Sequence, residues 1–262
     1  MLTICSFEAN SYQLWQVELL YKTFMLNQSG DFIGVAHKDG RDASDGGGNN
    51  CFPMYWTQNN YRFYNKDDYS PYNKIAGIKE FLLDVPGPPD ETIMLIDPDC
   101  VILKDINIEL KPRTLLTNYY SYMHIDDQIK GYMQGISEVN DFPAVGIPYI
   151  MRRIDLLTIV DRWFELCVKL RERTKDWIVE MWAFSIAIQE SGMKVVTEDF
   201  VGFANTDHNP PHIIHYCNEI ENEYDEFIWS KRHFVRGQYP DPKEAKCHSG
   251  RLLLEALHLL MK

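Results

Sequence analysis

The apolar run Thr92-Ile93-Met94-Leu95-Ile96 ends directly on Asp97-Pro98-Asp99, and that ending constrains the fold more than any other feature of the chain. The run follows the breaker cluster Pro86-Gly87-Pro88-Pro89 and is rich in β-branched and large apolar residues, which predicts a buried strand. Two carboxylates then stand where the strand leaves the core. Burying one such charge is costly, and two like charges side by side repel. A divalent cation removes both difficulties, because Mg²⁺ and Mn²⁺ take oxygen ligands and hold a diphosphate between themselves and one or two carboxylates. Asp97 and Asp99 are therefore candidate ligands of a metal–nucleotide site, the plainer reading being a solvated turn at a strand end.

The elements before this strand set its context. Leu2 to Ser6 reads as a first strand, and Ser11 to Phe24 as a helix with Leu14, Val17, Leu20, Tyr21 and Phe24 at helical spacing, capped by Ser11 or Asn10. Asp31 to His37 is a second strand. Lys38 to Asn50, with Gly46-Gly47-Gly48, is a flexible loop that lacks the Gly-Lys-Ser/Thr ending of a phosphate cradle. Phe52 to Tyr72 carries Tyr55, Trp56, Tyr61, Phe63, Tyr64, Tyr69 and Tyr72, which either stack on a base or sugar or anchor a loop to the core. Tyr72 to Leu83 is a helix, and Val101 to Lys104 follows the aspartates as a strand. This β-α-β-loop-α-β order predicts an α/β fold with a mostly parallel central sheet flanked by helices. Ligands of such sheets bind beyond the carboxyl ends of the strands, where Asp97 and Asp99 stand.

The second half is more helical, with amphipathic helices over Arg153 to Arg171 and Trp177 to Gln189 and a terminal one over Gly250 to Met261. Lys194 to Thr197 and His212 to Cys217 read as short strands, and Asn218 to Glu226 as a solvated acidic stretch. With no internal repeat and no low-complexity linker, residues 1–262 read as a single domain, 1–118 serving the donor and 119–262 the acceptor.

Composition narrows the function. At 262 residues and 45% hydrophobic, the chain can bury a substantial core. A net charge of −12 excludes a general nucleic-acid binder, so a nucleotide site must draw on a local cation cluster or a metal. No apolar run approaches the roughly 20 residues that span a bilayer, and Met1 to Ser6 shows no signal-peptide pattern. The expectation is a soluble, cytoplasmic protein with no membrane segment. None of the six cysteines forms a CxxC pair, which fits buried thiols in a reducing compartment; a Cys217–Cys247 disulfide is the one pairing considered.

Three further features bear on chemistry. His215, on the run His212-Ile213-Ile214-His215-Tyr216, can complete a metal shell of carboxylate and phosphate oxygens, or be a hydrogen-bonded core residue. Strand alternation sets Ile213, His215 and Cys217 on one face and Ile214 and Tyr216 on the other. Glu180 stands among large apolar residues, where desolvation would raise its pKa and suit it to base or nucleophile chemistry; an exposed position on the polar face is the alternative. Lys231-Arg232-His233, and Lys74 at a helix start, can neutralise a leaving diphosphate or form surface ion pairs.

In this order the motifs resemble GT-A-fold glycosyltransferases, and more closely the peptidyl hydroxyproline O-arabinosyltransferase and peptidyl serine α-galactosyltransferase group. The resemblance rests on Ser6 to Phe24 with Tyr12, Trp15 and Gln16; on Ser70-Pro71-Tyr72-Asn73-Lys74; and on Ile96-Asp97-Pro98-Asp99. It continues through Trp177-Ile178-Val179-Glu180-Met181-Trp182-Ala183-Phe184, Ile213-Ile214-His215-Tyr216-Cys217 and Trp229-Ser230-Lys231-Arg232. It implies a UDP-sugar donor, a peptide or glycan acceptor, and Mn²⁺ (or Mg²⁺) bound by Asp97 or Asp99 with His215. It further implies that Asn73, Lys74, Lys231 and Arg232 serve the donor, and that the sugar is transferred with retention. Glu180 would then position substrate or stabilise the cationic sugar; in an inverting enzyme it would be the general base. The group's plant members carry an N-terminal anchor and enter the secretory pathway, so a Golgi location is the expectation if an anchor has been trimmed. Two alternatives remain: a haloacid-dehalogenase-like phosphatase with Asp97 as nucleophile, and a non-catalytic sugar- or peptide-binding module.

Overall fold

The computed structural model describes residues 1–38, 52–139, 141–207 and 211–261. Along the chain run β1 (Leu2–Glu8), α1 (Ser11–Asn27), β2 (Asp31–His37), β3 (Met54–Trp56), α2 (Pro71–Asp84), β4 (Thr92–Ile96), β5 (Cys100–Ile102) and β6 (Thr114–Tyr119). They are followed by α3 (Asp127–Met133), β7 (Val145–Arg152), α4 (Arg153–Arg171), α5 (Val179–Ser191), β8 (Lys194–Thr197) and β9 (Val201–Phe203). The chain closes with β10 (Ile213–His215), β11 (Ile220–Glu221), β12 (Phe227–Trp229) and α6 (His248–Leu257). The α1 cap is Asn10, whose side chain accepts the Gln13 N–H at 2.9 Å. Pro71 opens α2, where its missing N–H and fixed φ cost nothing.

Among the described residues, seven strands form a sheet in the order β3-β2-β1-β4-β7-β6-β8. Only the two pairings of β7, to β4 and to β6, are antiparallel, so the sheet is mostly parallel as expected. Ile93 to Ile96 are fully buried, and β4 lies beside β1 in the register Leu2↔Ile93 to Cys5↔Ile96. β1 has β2 on one side and β4 on the other. The connections through α1 and α2 therefore diverge from it and open a crevice beyond the carboxyl ends of β1 and β4.

A second sheet, β5-β10-β9, forms directly after the aspartates. It shares a smaller core with α1 and α6, made by Trp15, Leu19, Val101, Ile214, Tyr216, Trp229, Leu253 and Leu257. Ile213 faces the main core while Ile214 and Tyr216 face the smaller one, which is the alternation read from the sequence. No helix among the described residues is long and apolar enough to cross a membrane.

Several boundaries move. The strand after the aspartates is Cys100–Ile102 rather than Val101 to Lys104, because Cys100 pairs with His215. The helix expected from Trp177 starts at Val179, and the terminal helix runs His248–Leu257 before tightening into a 3₁₀ turn. Cys217 and Cys247 are both free thiols, so the considered disulfide is not formed. Beyond Lys38, the glycine-rich loop lies outside the described residues.

Candidate active site

The crevice beyond β1 and β4 is a cleft of about 530 Å³. Its lining includes Asn73, Lys74, Asp97, Asp99, Glu180, His215, Lys231 and Arg232, whereas His233 of the basic cluster is not part of it.

Strand pairing builds the Asp99–His215 pair. Antiparallel β5 and β10 set Cys100 opposite His215, and the Tyr216 N–H donates to the Asp99 carbonyl at 3.0 Å. The buried Asp99 side chain then lies with Oδ2 3.3 Å from His215 Nε2. On its other side, His215 Nδ1 is 3.3 Å from the Tyr120 hydroxyl, which also donates to the Ile147 carbonyl at 3.1 Å. Lys231 reaches the same Asp99 Oδ2 from the turn after β12. That turn is fixed by buried Trp229, which packs on Trp15 and Tyr216, and by Ser230, which caps it. Burial pushes the Asp99 carboxyl up, but the His215 and Lys231 charges outweigh it and hold Asp99 well below the usual carboxylate range.

Lys74, in the first turn of α2, donates to Asp97 Oδ1 at 2.8 Å and lies 3.5 Å from Glu180 Oε1. Glu180 is buried in the first turn of α5, where a carboxylate also suits the helix dipole. Its backbone is fixed from two sides: the Glu180 N–H donates to the Tyr69 hydroxyl at 3.0 Å, and its carbonyl accepts the Trp163 indole N–H at 3.0 Å. Burial pushes the Glu180 carboxyl up, Lys74 pulls against it, and Asp97 adds to the rise. Oε1 is buried with no hydrogen bond, its contact to Lys74 being an ion pair only. Such an acceptor is expected where a hydroxyl or another hydrogen-bond donor is to be met.

The other expected residues divide. Asn73 is committed to the fold: its Oδ1 accepts the Tyr61 N–H at 2.6 Å and its Nδ2 donates to Glu8 Oε1 at 3.4 Å. The Arg232 side chain, by contrast, is exposed in the cleft. From the aromatic segment, Tyr69 and Tyr72 are buried and act as anchors, which favours the anchoring reading for those two rings.

Some site residues were not read from the sequence. Tyr120 supports His215 from within the run Tyr119-Tyr120-Ser121-Tyr122, whose density of tyrosines was the available signal. Tyr122 and Trp177 are exposed rings at the cleft mouth, beside Met181 and Glu180. Cys100 joins Asp99 and His215 in a group whose ligand atoms lie within 4.8 Å of one another. Burial pushes the Cys100 thiol up, and sulfur suits Mn²⁺ or Mg²⁺ less well than the carboxylate of Asp99 and the imidazole of His215.

These donors fit a divalent ion. Two ligands of one octahedral ion with bonds of about 2.1 Å stand about 3 Å apart, close to the Asp99–His215 separation of 3.3 Å. The Tyr120 contact holds the imidazole with Nε2 toward the carboxylate.

Comparison with solved structures gives the same fold. The galactosyltransferase LgtC in complex with donor and acceptor sugar analogues matches with a TM-score of 0.52 at 12% identity, over 83% of this chain and 87% of that one. An active-site mutant of LgtC matches with a TM-score of 0.53 at 12% identity, over 98% and 95%. The bifunctional glycosyltransferase WbbM, in its apo form, matches with a TM-score of 0.51 at 13% identity, over 83% of this chain and 45% of that one. The fold is GT-A. No curated protein sequence matches the chain. The family model for the N-terminal domain of the hydroxyproline O-arabinosyltransferases matches residues 2–197, from β1 through β8 and including Asp97, Asp99 and Glu180. The chain therefore belongs to the hydroxyproline O-arabinosyltransferase family, a family of glycosyltransferases.

Proposed function

We propose that this protein is a metal-dependent glycosyltransferase that moves a sugar from a UDP-sugar to the hydroxyl of an acceptor, with retention of anomeric configuration. The observation that carries the reading is the Asp99 Oδ2–His215 Nε2 pair, 3.3 Å apart, beside Asp97 at the switch point of the sheet. Asp99 and His215, with Asp97 beside them, would hold Mn²⁺ or Mg²⁺. When bound there, such an ion would supply the positive charge that a leaving diphosphate needs. Lys231 and Arg232 face the same region and add charge on the leaving side. Lys74 keeps Glu180 aimed into the cleft from 3.5 Å. The Glu180 carboxylate stabilises positive charge on the sugar or positions the acceptor hydroxyl.

The cleft is divided by chemistry. Its charged lining is Asp97, Asp99, His215, Lys231 and Arg232, and its aromatic end is made by Trp177, with Ile178 and Met181, around the start of the helix that carries Glu180. That aromatic end suits the C–H face of a saturated ring, such as a hydroxyproline or a sugar. The family's name supports a hydroxyproline as acceptor.

A panel of UDP-sugars, assayed with and without Mn²⁺ and with the product anomer read by NMR, tests the proposal. The expected result is Mn²⁺-dependent turnover with one UDP-sugar, lost by at least about 100-fold in Asp99→Asn. Phosphate release from simple monoesters without UDP-sugar turnover would overturn it, as would sugar binding with no turnover of any donor.

A further inference from the structure

Each aspartate of the Asp97-Pro98-Asp99 turn carries its own ammonium: Lys74 on Asp97 and Lys231 on Asp99. The two lysines are held differently. Lys74 lies between two carboxylates, Asp97 at 2.8 Å and Glu180 at 3.5 Å. Among the described residues, Lys231 has Asp99 as its one carboxylate partner, and it meets Oδ2, the oxygen that also faces His215 Nε2. An ion bound by Asp99 Oδ2 and His215 would share that oxygen with an ammonium, and like charges so close repel strongly.

We propose that Lys231 is an exchangeable placeholder for the divalent cation, seated on Asp99 in the metal-free protein and transferred to the donor diphosphate when an ion takes the carboxylate. The proposal rests on the metal-dependent reading above and adds a consequence that this reading does not contain. With Asp99 Oδ2 already paired to Lys231, a bare ion has to displace an ammonium before it can take that oxygen. Once an ion is bound, the released ammonium needs an anion, and the diphosphate supplies one. Ion and nucleotide therefore bind as a coupled pair, each strengthening the other by the same factor. The exchange needs only side-chain rotation. Trp229 and Ser230 are buried and fix the backbone beside Lys231, while its four-carbon stem lines the cleft.

Mn²⁺ binding, followed by the electron paramagnetic resonance of free Mn²⁺ and by calorimetry, tests this with and without UDP. The wild-type protein is expected to bind Mn²⁺ alone at least about tenfold more weakly than in the presence of UDP. In Lys231→Met the two affinities move in opposite directions. Mn²⁺ alone binds about tenfold more tightly, and UDP at saturating Mn²⁺ binds about tenfold more weakly. A purely structural role for Lys231 would weaken both. Lys231→Arg, which keeps the charge, is expected to follow the wild type, and Lys231→Gln replaces the Met variant if that one does not fold. Unchanged or weaker binding of Mn²⁺ alone by Lys231→Met, beside intact Mn²⁺–UDP binding by the wild type, overturns the exchange and leaves the metal-dependent reading standing. Failure of the wild type to bind Mn²⁺ even with UDP overturns that reading, and the exchange with it.

Discussion

Lys74 and Glu180 meet at 3.5 Å across the cleft, one in the first turn of α2 and the other in the first turn of α5. The two residues stand more than a hundred positions apart in the sequence, and the ion pair links the Asp97 side of the cleft to its aromatic end. Burial pushes the Glu180 carboxyl up, and Lys74 pulls against that rise. Glu180→Gln keeps the shape and removes the charge. Turnover is expected to fall by at least about 100-fold while UDP affinity in Mn²⁺ changes by less than about threefold, as the role proposed for the side chain in the transfer requires. Steady-state kinetics beside UDP calorimetry checks this. A loss of UDP binding equal to the loss of turnover would move Glu180 to the donor site or to the fold.

The support behind Glu180 carries a pH dependence. Arg171 forks onto Asp67, Nε to Oδ2 at 2.7 Å and Nη2 to Oδ1 at 2.9 Å, and its guanidinium lies 4.0 Å over the Tyr69 ring that bonds the Glu180 N–H. The Arg171 hydrogen bonds hold the Asp67 carboxyl down at about 2 against the effect of burial, with Lys175 adding to the shift. A depressed carboxyl contributes stability that is fully present above its unfolded pKa of about 3.9 and is lost as pH falls through the folded value. The pair is partly solvated, so its contribution is about 1 kcal/mol. In urea titrations, Asp67→Asn is expected to be less stable than the wild type by this amount near neutral pH, the gap closing as pH falls from about 4 to about 2. A gap that persists at the acid end would contradict the ion-pair account.

Trp177 and Tyr122 are 66% and 51% exposed, unusual for rings in a cleft, yet each is braced from behind by a buried tyrosine. Tyr69 meets Trp177 edge-on at 5.8 Å, and Tyr120 meets Tyr122 edge-on at 5.4 Å. Fixed, exposed rings beside Glu180 suit stacking on an acceptor ring, worth about 1 kcal/mol each. Trp177→Ala is expected to raise the acceptor KM by about fivefold to tenfold and to leave UDP affinity unchanged, with Trp177→Phe recovering most of the loss. Hydroxyproline peptides and simple glycosides, compared as acceptors, show which ring is stacked. An unchanged acceptor KM in the Ala variant would remove the ring from the acceptor site.

Local signals made much of this site legible. The β4 strand and its aspartates stand out because an apolar run, a breaker cluster and an Asp-Pro-Asp turn all act over a few residues. Glu180 stands out because a lone carboxylate in an apolar helix has to be explained. β7 did not, since Gly146 and Pro148 within Val145–Arg152 read as breakers. The structure tolerates Pro148 because the β6 pairing skips from Ile150 to Gly146 there and the β4 pairing ends at Tyr149, so no ladder bond is asked of it. Pairings across long separations, such as Cys100 with His215 or Tyr120 with His215, have no local signature at all.

That central strand also sets a constraint on the metal pair. Gly146 packs against the Tyr120 ring so closely that an added Cβ would lie 2.5 Å from Cδ2 and Cε2. Tyr120 is buried between β7 and Phe203, so the ring cannot swing clear without moving its hydroxyl from His215 Nδ1 and the Ile147 carbonyl. Gly146→Ala is expected to cost about 1–3 kcal/mol of stability by overpacking. It is also expected to weaken Mn²⁺-dependent UDP binding several-fold, because His215 loses the contact that orients it. Gly131→Ala is the control, since a Cβ there meets nothing within 4 Å in α3 and the helix gains from losing a glycine. Thermal melts with calorimetry on both variants separate the effects. Should Gly146→Ala lose stability yet bind Mn²⁺ and UDP as the wild type does, Tyr120 would be a packing residue and not a support for His215.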